Sequence, residues 1–232
     1  MIESFIGEIQ KGKPFLVFDD EKREGETDMM LPSQFMTPDI IRKMRREGGG
    51  LICLSLREKD AVRIGLPYLD AILPQTGIMK GLFRNDDLKY DSSSAFSLTI
   101  NTRNSFTGIT DIDRSSTIRE FASFLSDLGR FNGTASSIFA DRFRSPGHVF
   151  LLIARDGYFS KRRGHTELGT YLVEKAGLIP SVTMVEMLSD TGRAMTRDEA
   201  LDYATKNKLT FIDGKTIIES WSNETGHGNG GL

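Results

Sequence analysis

Short apolar runs alternate with amphipathic stretches along the chain. Compact apolar runs predict buried strands, and they lie at residues 15–18, 51–56, 95–100, 149–154, 181–188 and 209–212. Apolar side chains at three- and four-residue steps, or start signals before them, predict helices at residues 2–10, 37–47, 113–127, 165–176, 196–206 and 214–221. Strands and helices mixed in this way predict an α+β domain, with a mixed β-sheet covered by helices.

Several boundaries carry signals of their own. Thr37 can cap a helix that Pro38 begins, and Asp113 is a candidate cap for the helix that follows it. Two long stretches, residues 67–94 and 130–148, show neither pattern. Loops of this length are uncommon in compact domains unless they are functional, so we expect lids or dimer contacts there.

Length, charge and cysteine content narrow the class of protein. The 232 residues suit a single domain at residues 1–222, and the Gly-rich end predicts a disordered tail at residues 223–232. A formal net charge of -2 argues against nucleic-acid binding by bulk electrostatics. The single cysteine, Cys53, cannot form an intrachain disulfide and fits a reducing, cytoplasmic location. No apolar run is long enough to predict a membrane span.

The most concentrated polar chemistry lies at residues 19–28, which read DDEKREGETD. Six carboxylates fall within these ten residues, directly after a predicted buried strand. Oxygen-rich groups of this kind suit Mg²⁺ or Mn²⁺, and Arg23 can bind a phosphate or pair with its neighbours. Composition alone favours the other interpretation, a solvated charged turn.

A basic segment precedes the predicted helix at residues 165–176. Residues 161–167 read KRRGHTE, and a helix N-terminus offers free N–H groups to an anion. Arg162 and Thr166 add a charge and a hydroxyl, while His165 can bind a metal or carry a proton. The alternative is a surface turn followed by an ordinary helix start.

Four single residues complete the candidates. His148 comes just before an apolar strand, where it can act in general acid–base catalysis, although a histidine in a turn is more often structural. Glu186 interrupts an apolar run, so burial would raise its pKa, unless the strand is half-exposed. Thr110 belongs to a hydroxyl- and acid-rich turn that binds polar ligands or simply caps a helix, and Cys53 fits a core position.

Taken in order, these segments resemble 3,4-dihydroxy-2-butanone 4-phosphate synthase, in its archaeal branch. The resemblance extends from about residue 7 to residue 221. It is carried by DDEKREGETDMM at residues 19–30, GLICLSL at 50–56, FTGITDIDRSSTI at 106–118, FRSPGHVFLL at 143–152, RRGHTELGTYLVEKAGL at 162–178 and VEM at 185–187.

The resemblance implies a lyase of riboflavin biosynthesis. Enzymes of this family convert D-ribulose 5-phosphate to L-3,4-dihydroxy-2-butanone 4-phosphate and formate through enolisation, dehydration and skeletal rearrangement. They need Mg²⁺ or Mn²⁺, which stabilises the enediolate, and they act as homodimers. Many members carry a GTP cyclohydrolase II domain with a cysteine-bound zinc. With one cysteine, this chain is expected to be monofunctional.

The resemblance also assigns roles to residues at matching positions. It implies metal binding by Glu24 and His165 and catalysis by His148 and Glu186. It implies substrate contacts for both metal ligands, for Glu186, and for Arg23, Asp28, Arg162, Arg163, Gly164 and Thr166. Glu26, Cys53 and Thr110 are expected to line the site.

Two other functions remain open on sequence alone. One is a different metal-dependent sugar-phosphate enzyme, such as an aldolase or an isomerase. The other is a non-catalytic sensor of phosphorylated metabolites, which leaves His148 and Glu186 without a role. Formate release from ribulose 5-phosphate distinguishes the lyase from both.

Overall fold

The computed structural model describes residues 2–76, 89, 91 and 93–226. Its strands are β1 (Phe15–Phe18), β2 (Thr27–Pro32), β3 (Cys53–Arg57), β4 (Phe96–Thr102), β5 (Phe143–Ala154), β6 (Val182–Glu186) and β7 (Thr210–Asp213). Its helices are α1 (Ile2–Ile9), α2 (Pro38–Lys43), α3 (Glu58–Ile64), α4 (Leu69–Ile72), α5 (Asp111–Asp127), α6 (Ala135–Arg142), α7 (His165–Lys175), α8 (Arg197–Asn207) and α9 (Gly214–Thr225).

The strands of the described residues form one mixed sheet. Their order is β4-β5-β3-β6-β2-β1-β7. The pairs β1–β7 and β3–β5 are parallel, whereas β1–β2, β2–β6, β3–β6 and β4–β5 are antiparallel. The predicted α+β class, with a mixed sheet covered by helices, is confirmed.

Alternate strand residues supply two hydrophobic cores, one on each face of the sheet. Leu16 packs into the core shared with α2, α3, α5, α6 and α8, whereas Phe15 and Val17 pack into the core shared with α1, α7 and α9. This alternation follows from the two-residue period of a strand. Because both faces are covered, the strands read as continuous apolar runs in the sequence.

The structure corrects several boundaries. Thr110, not Asp113, caps α5, since its side chain accepts a hydrogen bond from the backbone N–H of Asp113. Residues 130–148 are not a long loop, because they contain α6 and the first half of β5. Strand β2 was not predicted. Helix α9 continues through Thr225 and so contains the first three residues of the predicted tail, and residues 227–232 of that tail lie outside the described residues.

Among the described helices, none is long and apolar enough to cross a membrane.

Candidate active site

A cavity of 460 Å³ lies on the α7 face of the sheet, beside the first turn of that helix. Strands β2, β3, β5 and β6 contribute Asp28, Cys53, Leu152, Met184 and Glu186 to its lining. The cavity brings together nine of the predicted site residues, which are Arg23, Glu24, Glu26, Asp28, Cys53, Arg162, His165, Thr166 and Glu186.

The loop between β1 and β2 folds around the carboxylate of Asp19. Its Oδ1 accepts from the backbone N–H of Glu26 at 3.0 Å. Its Oδ2 accepts from the backbone N–H of Glu24 at 3.1 Å and from Arg23 Nη1 at 3.0 Å. The side chain of Asp19 is fully buried, whereas Asp20 in the same loop is exposed. The acid-rich segment is therefore a loop that the hydrogen bonds of Asp19 hold in place, and it directs Glu24 and Glu26 into the cavity.

His165 begins α7 and lies among acidic residues. Its Nδ1 is 3.2 Å from Glu24 Oε2, and its Nε2 is 3.1 Å from the carbonyl oxygen of Glu26. Burial lowers the pKa of His165, but the nearby carboxylates, Asp28 first, outweigh burial and raise it to about 9. Burial raises the pKa of Glu24, yet the hydrogen bond from His165 and the charge of Arg23 bring it down to about 2.

Asp28 and Glu186 face each other on the antiparallel strands β2 and β6. Burial raises the pKa of Asp28 to about 7; the charge of His165 opposes this rise and Glu186 adds to it. Oε2 of Glu186 accepts from the backbone N–H of Leu51 at 2.6 Å. The raised pKa suits Asp28 to exchange a proton near neutral pH.

Two arginines give the cavity a basic side. Arg23 Nη2 and Arg162 Nη2 both contact Asp91 Oδ2, at 2.5 Å and 2.9 Å. Arg162 Nη1 also pairs with the buried Glu167 at 2.7 Å. Thr166 lies in the first turn of α7, where backbone N–H groups lack helical partners. The two guanidinium groups thus hold an anion between them, which in this structure is the carboxylate of Asp91.

The acidic side fits a divalent cation. Asp19, Glu24 and His165 each offer a ligand atom, and these atoms lie within 4.8 Å of one another. The side chain of Asp19 is fully buried and does not line the cavity, whereas Glu24 and His165 do, so Glu24 and His165 are the better donors. Among the described residues, Asp28 Oδ1 is buried without a hydrogen-bond partner. An orphaned oxygen beside a carboxylate–imidazole pair suits Mg²⁺ or Mn²⁺.

Four predicted site residues lie outside the lining of this cavity in the described part of the chain. His148 is exposed, and Thr110 is exposed at the start of α5. Arg163 is exposed and donates from Nε to the carbonyl oxygen of Phe159 at 3.5 Å. Gly164 packs against the guanidinium groups of the basic side without lining the cavity. These four predicted residues therefore do not line the cavity in the described part of the chain.

Sequence reasoning missed other residues of the site. Lys89, Ser93 and Ser94 line the cavity, and Asp91 bridges the two arginines. All four fall at the end of the predicted loop at residues 67–94, whose unusual length was the available signal. Glu167 gave no such signal, because an acidic residue in a first helical turn is common.

A profile of the family described as 3,4-dihydroxy-2-butanone 4-phosphate synthase matches residues 3–220. The chain belongs to this synthase family. A synthase of this name from Archaeoglobus fulgidus is 41% identical over 224 residues, which make up 94% of this chain and 93% of the relative. The synthase from Methanothermobacter thermautotrophicus is 40% identical over 225 residues, 95% of this chain and 96% of the relative. Both organisms are archaea, as the sequence resemblance indicated.

Solved synthase structures share the fold. A 3,4-dihydroxy-2-butanone 4-phosphate synthase in complex with two magnesium ions has a TM-score of 0.73 at 26% identity, covering 97% of this chain and 98% of that chain. The synthase from Candida albicans has a TM-score of 0.72 at 27% identity, covering 95% and 97%. The fold class inferred from the sequence is therefore that of the synthase family.

Proposed function

We propose that the chain is a lyase that converts D-ribulose 5-phosphate to L-3,4-dihydroxy-2-butanone 4-phosphate and formate in riboflavin biosynthesis. The observation that carries this proposal is the Glu24–His165 pair, 3.2 Å apart, in the same cavity as Arg23 and Arg162. An acidic centre for a cation and a basic side for a phosphate match the two ends of a sugar phosphate.

The phosphate end of the substrate is proposed to bind at the basic side. The guanidinium of Arg162 offers paired N–H donors that match phosphate geometry. Thr166 adds its hydroxyl, and the first turn of α7 adds backbone N–H groups that lack helical partners. Arg23 approaches from the β1–β2 loop. A phosphate would take the position that Asp91 occupies between the two arginines.

Glu24 and His165 are proposed to hold Mg²⁺, or Mn²⁺ in its place. The magnesium complex of a synthase with this fold supports that choice of metal. When bound, the cation would stabilise the negative charge that develops on substrate oxygens during enolisation. His165 must release its proton to serve as a ligand, while Glu24 is ionised at neutral pH.

Proton transfer is proposed to fall to the carboxyl groups on the sheet. Glu186 is held in position by the backbone N–H of Leu51 and serves as the acid or base for substrate carbons and hydroxyls. Asp28 lies opposite, with a pKa near neutrality, and contacts substrate hydroxyls. Glu26 and Cys53 line the wall beside them.

His148 is proposed to act across a homodimer. It lies outside the cavity of its own subunit, while Phe106, Ile109 and Ile112 on the neighbouring segment are exposed, Phe106 by 94%. Exposed apolar side chains clustered along one segment are typical of protein interfaces. We propose that a two-fold contact there brings His148, with Thr110, to the acidic centre of the partner.

The deciding experiment measures formate release from ribulose 5-phosphate with Mg²⁺. Glu24→Ala and His165→Ala should each abolish formate release while leaving the circular dichroism spectrum intact. Glu21→Ala is the matched control, because Glu21 is an exposed acid of the same loop. Binding without formate release by the metal-loaded protein would favour a sensor, and a different product would favour an aldolase or isomerase.

Subunit mixing tests the homodimer. Glu24→Ala and His148→Ala, each inactive alone, should recover activity when mixed, because one site of each heterodimer then has both residues intact. No recovery from dimers that have been shown to exchange would refute a shared site.

A further inference from the structure

The strand that carries His148 departs from regular pairing at this residue. Ile100 of β4 pairs with Val149 of β5, while the next residue, Asn101, pairs with Arg144. Residues 145–148 are thus inserted into β5 opposite a single step of β4. Irregularities of this kind re-aim side chains and occur often beside active sites. Here the insertion ends on His148 and brings it against the side chain of Asn101.

The amide of Asn101 makes three contacts with His148, and the shortest of them fixes the orientation of the amide. The backbone N–H of His148 donates to one amide atom of Asn101 at 2.8 Å. Since a backbone N–H can only donate, that atom is the carbonyl Oδ1. The remaining amide atom, Nδ2, lies 3.1 Å from Nδ1 of the His148 ring and 3.4 Å from the carbonyl oxygen of Thr107. The same ring nitrogen lies 3.3 Å from Oδ1.

The contact between Nδ1 and Nδ2 favours one tautomer of His148. Nδ2 of an amide carries two hydrogens and cannot accept, so Nδ1 of His148 is the acceptor of this shorter, 3.1 Å contact. In the neutral imidazole the proton then lies on the other nitrogen, Nε2. A proton on Nδ1 would have only the longer, 3.3 Å contact to Oδ1, which already accepts from the backbone N–H of His148, and it would face the N–H groups of Nδ2.

The surroundings prevent the amide from turning over. Asn101 is buried, with 2% of its surface exposed. Gly108 lies against it with φ of 100°, and a Cβ at that position would lie 2.0 Å from Asn101 Nδ2. Only glycine adopts this backbone without strain and leaves room for the amide. The loop at residues 106–108 therefore clamps Asn101 in the orientation that donates to His148.

We propose that Asn101 is a positioning residue that holds His148 with its proton on Nε2, so that His148 serves the reaction as a hydrogen-bond donor to a substrate oxygen. This inference rests on the proposed catalytic role of His148 and extends it. The inference gives Glu186 and His148 different roles in the reaction. Glu186 acts on protons as a carboxyl group, while the Nε2–H of His148 donates to and stabilises an oxygen that gains negative charge.

Nitrogen NMR of the ring tests the tautomer without reference to activity. In protein labelled with ¹⁵N-histidine, at a pH where the ring is neutral, the signal assigned through its loss in His148→Gln should show a protonated Nε2 and an unprotonated Nδ1. The opposite pattern in the parent protein would overturn the inference. This measurement needs no Asn101 variant to fold.

Substitution of Asn101 tests the consequence for catalysis. Asn101→Asp keeps the shape and the acceptor for the His148 backbone, but it replaces the donor with an oxygen, so the ring proton should move to Nδ1. The kcat should fall by roughly 10²–10³-fold, the loss expected when one donor to a developing oxyanion is removed, with KM nearly unchanged. Asn101→Ser removes the donor without adding charge and should give mixed tautomers with a smaller loss. Asn104→Asp, at an exposed site in the turn after β4, is the matched control and should change neither the tautomer of His148 nor kcat.

The results separate the inference from the function on which it rests. An unchanged tautomer in Asn101→Asp, or a moved proton with full kcat where His148→Ala is inactive, would overturn the inference. Full activity of His148→Ala would refute the catalytic role of His148 itself. Absence of formate from the parent protein would refute the lyase, whatever the tautomer.

Discussion

Replacing Gly50 with alanine should displace the carboxylate of Glu186. A Cβ at Gly50 would lie 2.2 Å from Glu186 Oε2, 2.7 Å from its Cβ and 2.9 Å from its backbone nitrogen. Because two of these atoms belong to or adjoin the backbone of β6, a side-chain rotation alone cannot relieve the contact. Overpacking of this kind costs about 1–3 kcal/mol. At about 2–4 °C per kcal/mol for a chain of this size, the melting temperature should fall by roughly 2–12 °C.

The loss of activity should exceed the loss of stability. A displacement of about 1 Å at a reacting group can cost about 10²-fold in rate, so kcat for formate release should fall by about that factor at a temperature where the variant is folded. Gly129→Ala is the matched control, since no atom within 4 Å meets its Cβ. In a Glu186→Ala background, Gly50→Ala should cause little further loss of kcat, because the displaced group is already gone. Parent values of kcat and melting temperature in Gly50→Ala would refute the reasoning.

Three further predictions concern the metal, the phosphate and the core. Mg²⁺ must displace the proton of His165, whose pKa is raised from 6.5 to about 9. The apparent affinity should therefore rise about tenfold per pH unit up to about pH 9, and calorimetry in two buffers should detect the released proton; pH-independent binding would contradict this. Arg162→Ala should raise KM by roughly 10–100-fold, the effect of a charged hydrogen bond, while the exposed neighbour Arg163→Ala should not; equal effects would remove Arg162 from phosphate binding. Phe121 is fully buried and packs against Phe124, Phe139 and Phe143, so Phe121→Ala should lower the free energy of unfolding by about 3–5 kcal/mol, and an unchanged denaturation midpoint would argue against this core.

The sequence predicted the elements that have a clear apolar pattern and missed those in which polar residues interrupt that pattern. Strands β1, β3 and β6 stand out as apolar runs because both faces of the sheet are covered. Strand β2 was not predicted, because the buried carboxyl group of Asp28, a residue of the site, interrupts its apolar pattern. Helices α3 and α6 escaped because charged residues and serines dilute their apolar faces. Local conflicts between pattern and structure are expected at functional sites.

The site includes contacts between segments that are far apart in the sequence, and these contacts could not be predicted from the sequence. The acid-rich loop was ambiguous until the structure showed that Asp19 folds it inward. Asp91 reaches Arg23 across 68 positions of the chain, and no local pattern records that contact. The hydrogen bond between Asn101 and His148 spans 47 positions. Such pairings are fixed by strand order, which a single sequence does not reveal.

The pairing of Asp28 with Glu186 also has a consequence for folding during synthesis on the ribosome. The two residues are 158 positions apart in the chain, 186 minus 28, yet they are direct neighbours on the sheet. At about 5–20 residues per second on the ribosome, Asp28 emerges roughly 8–32 s before its partner strand exists. Throughout that interval one edge of β2 has no partner, and such edges readily pair with other chains. A stalled or truncated copy of this protein should therefore be prone to aggregate, and it should bind no substrate, because the acidic centre closes only when β6 is complete.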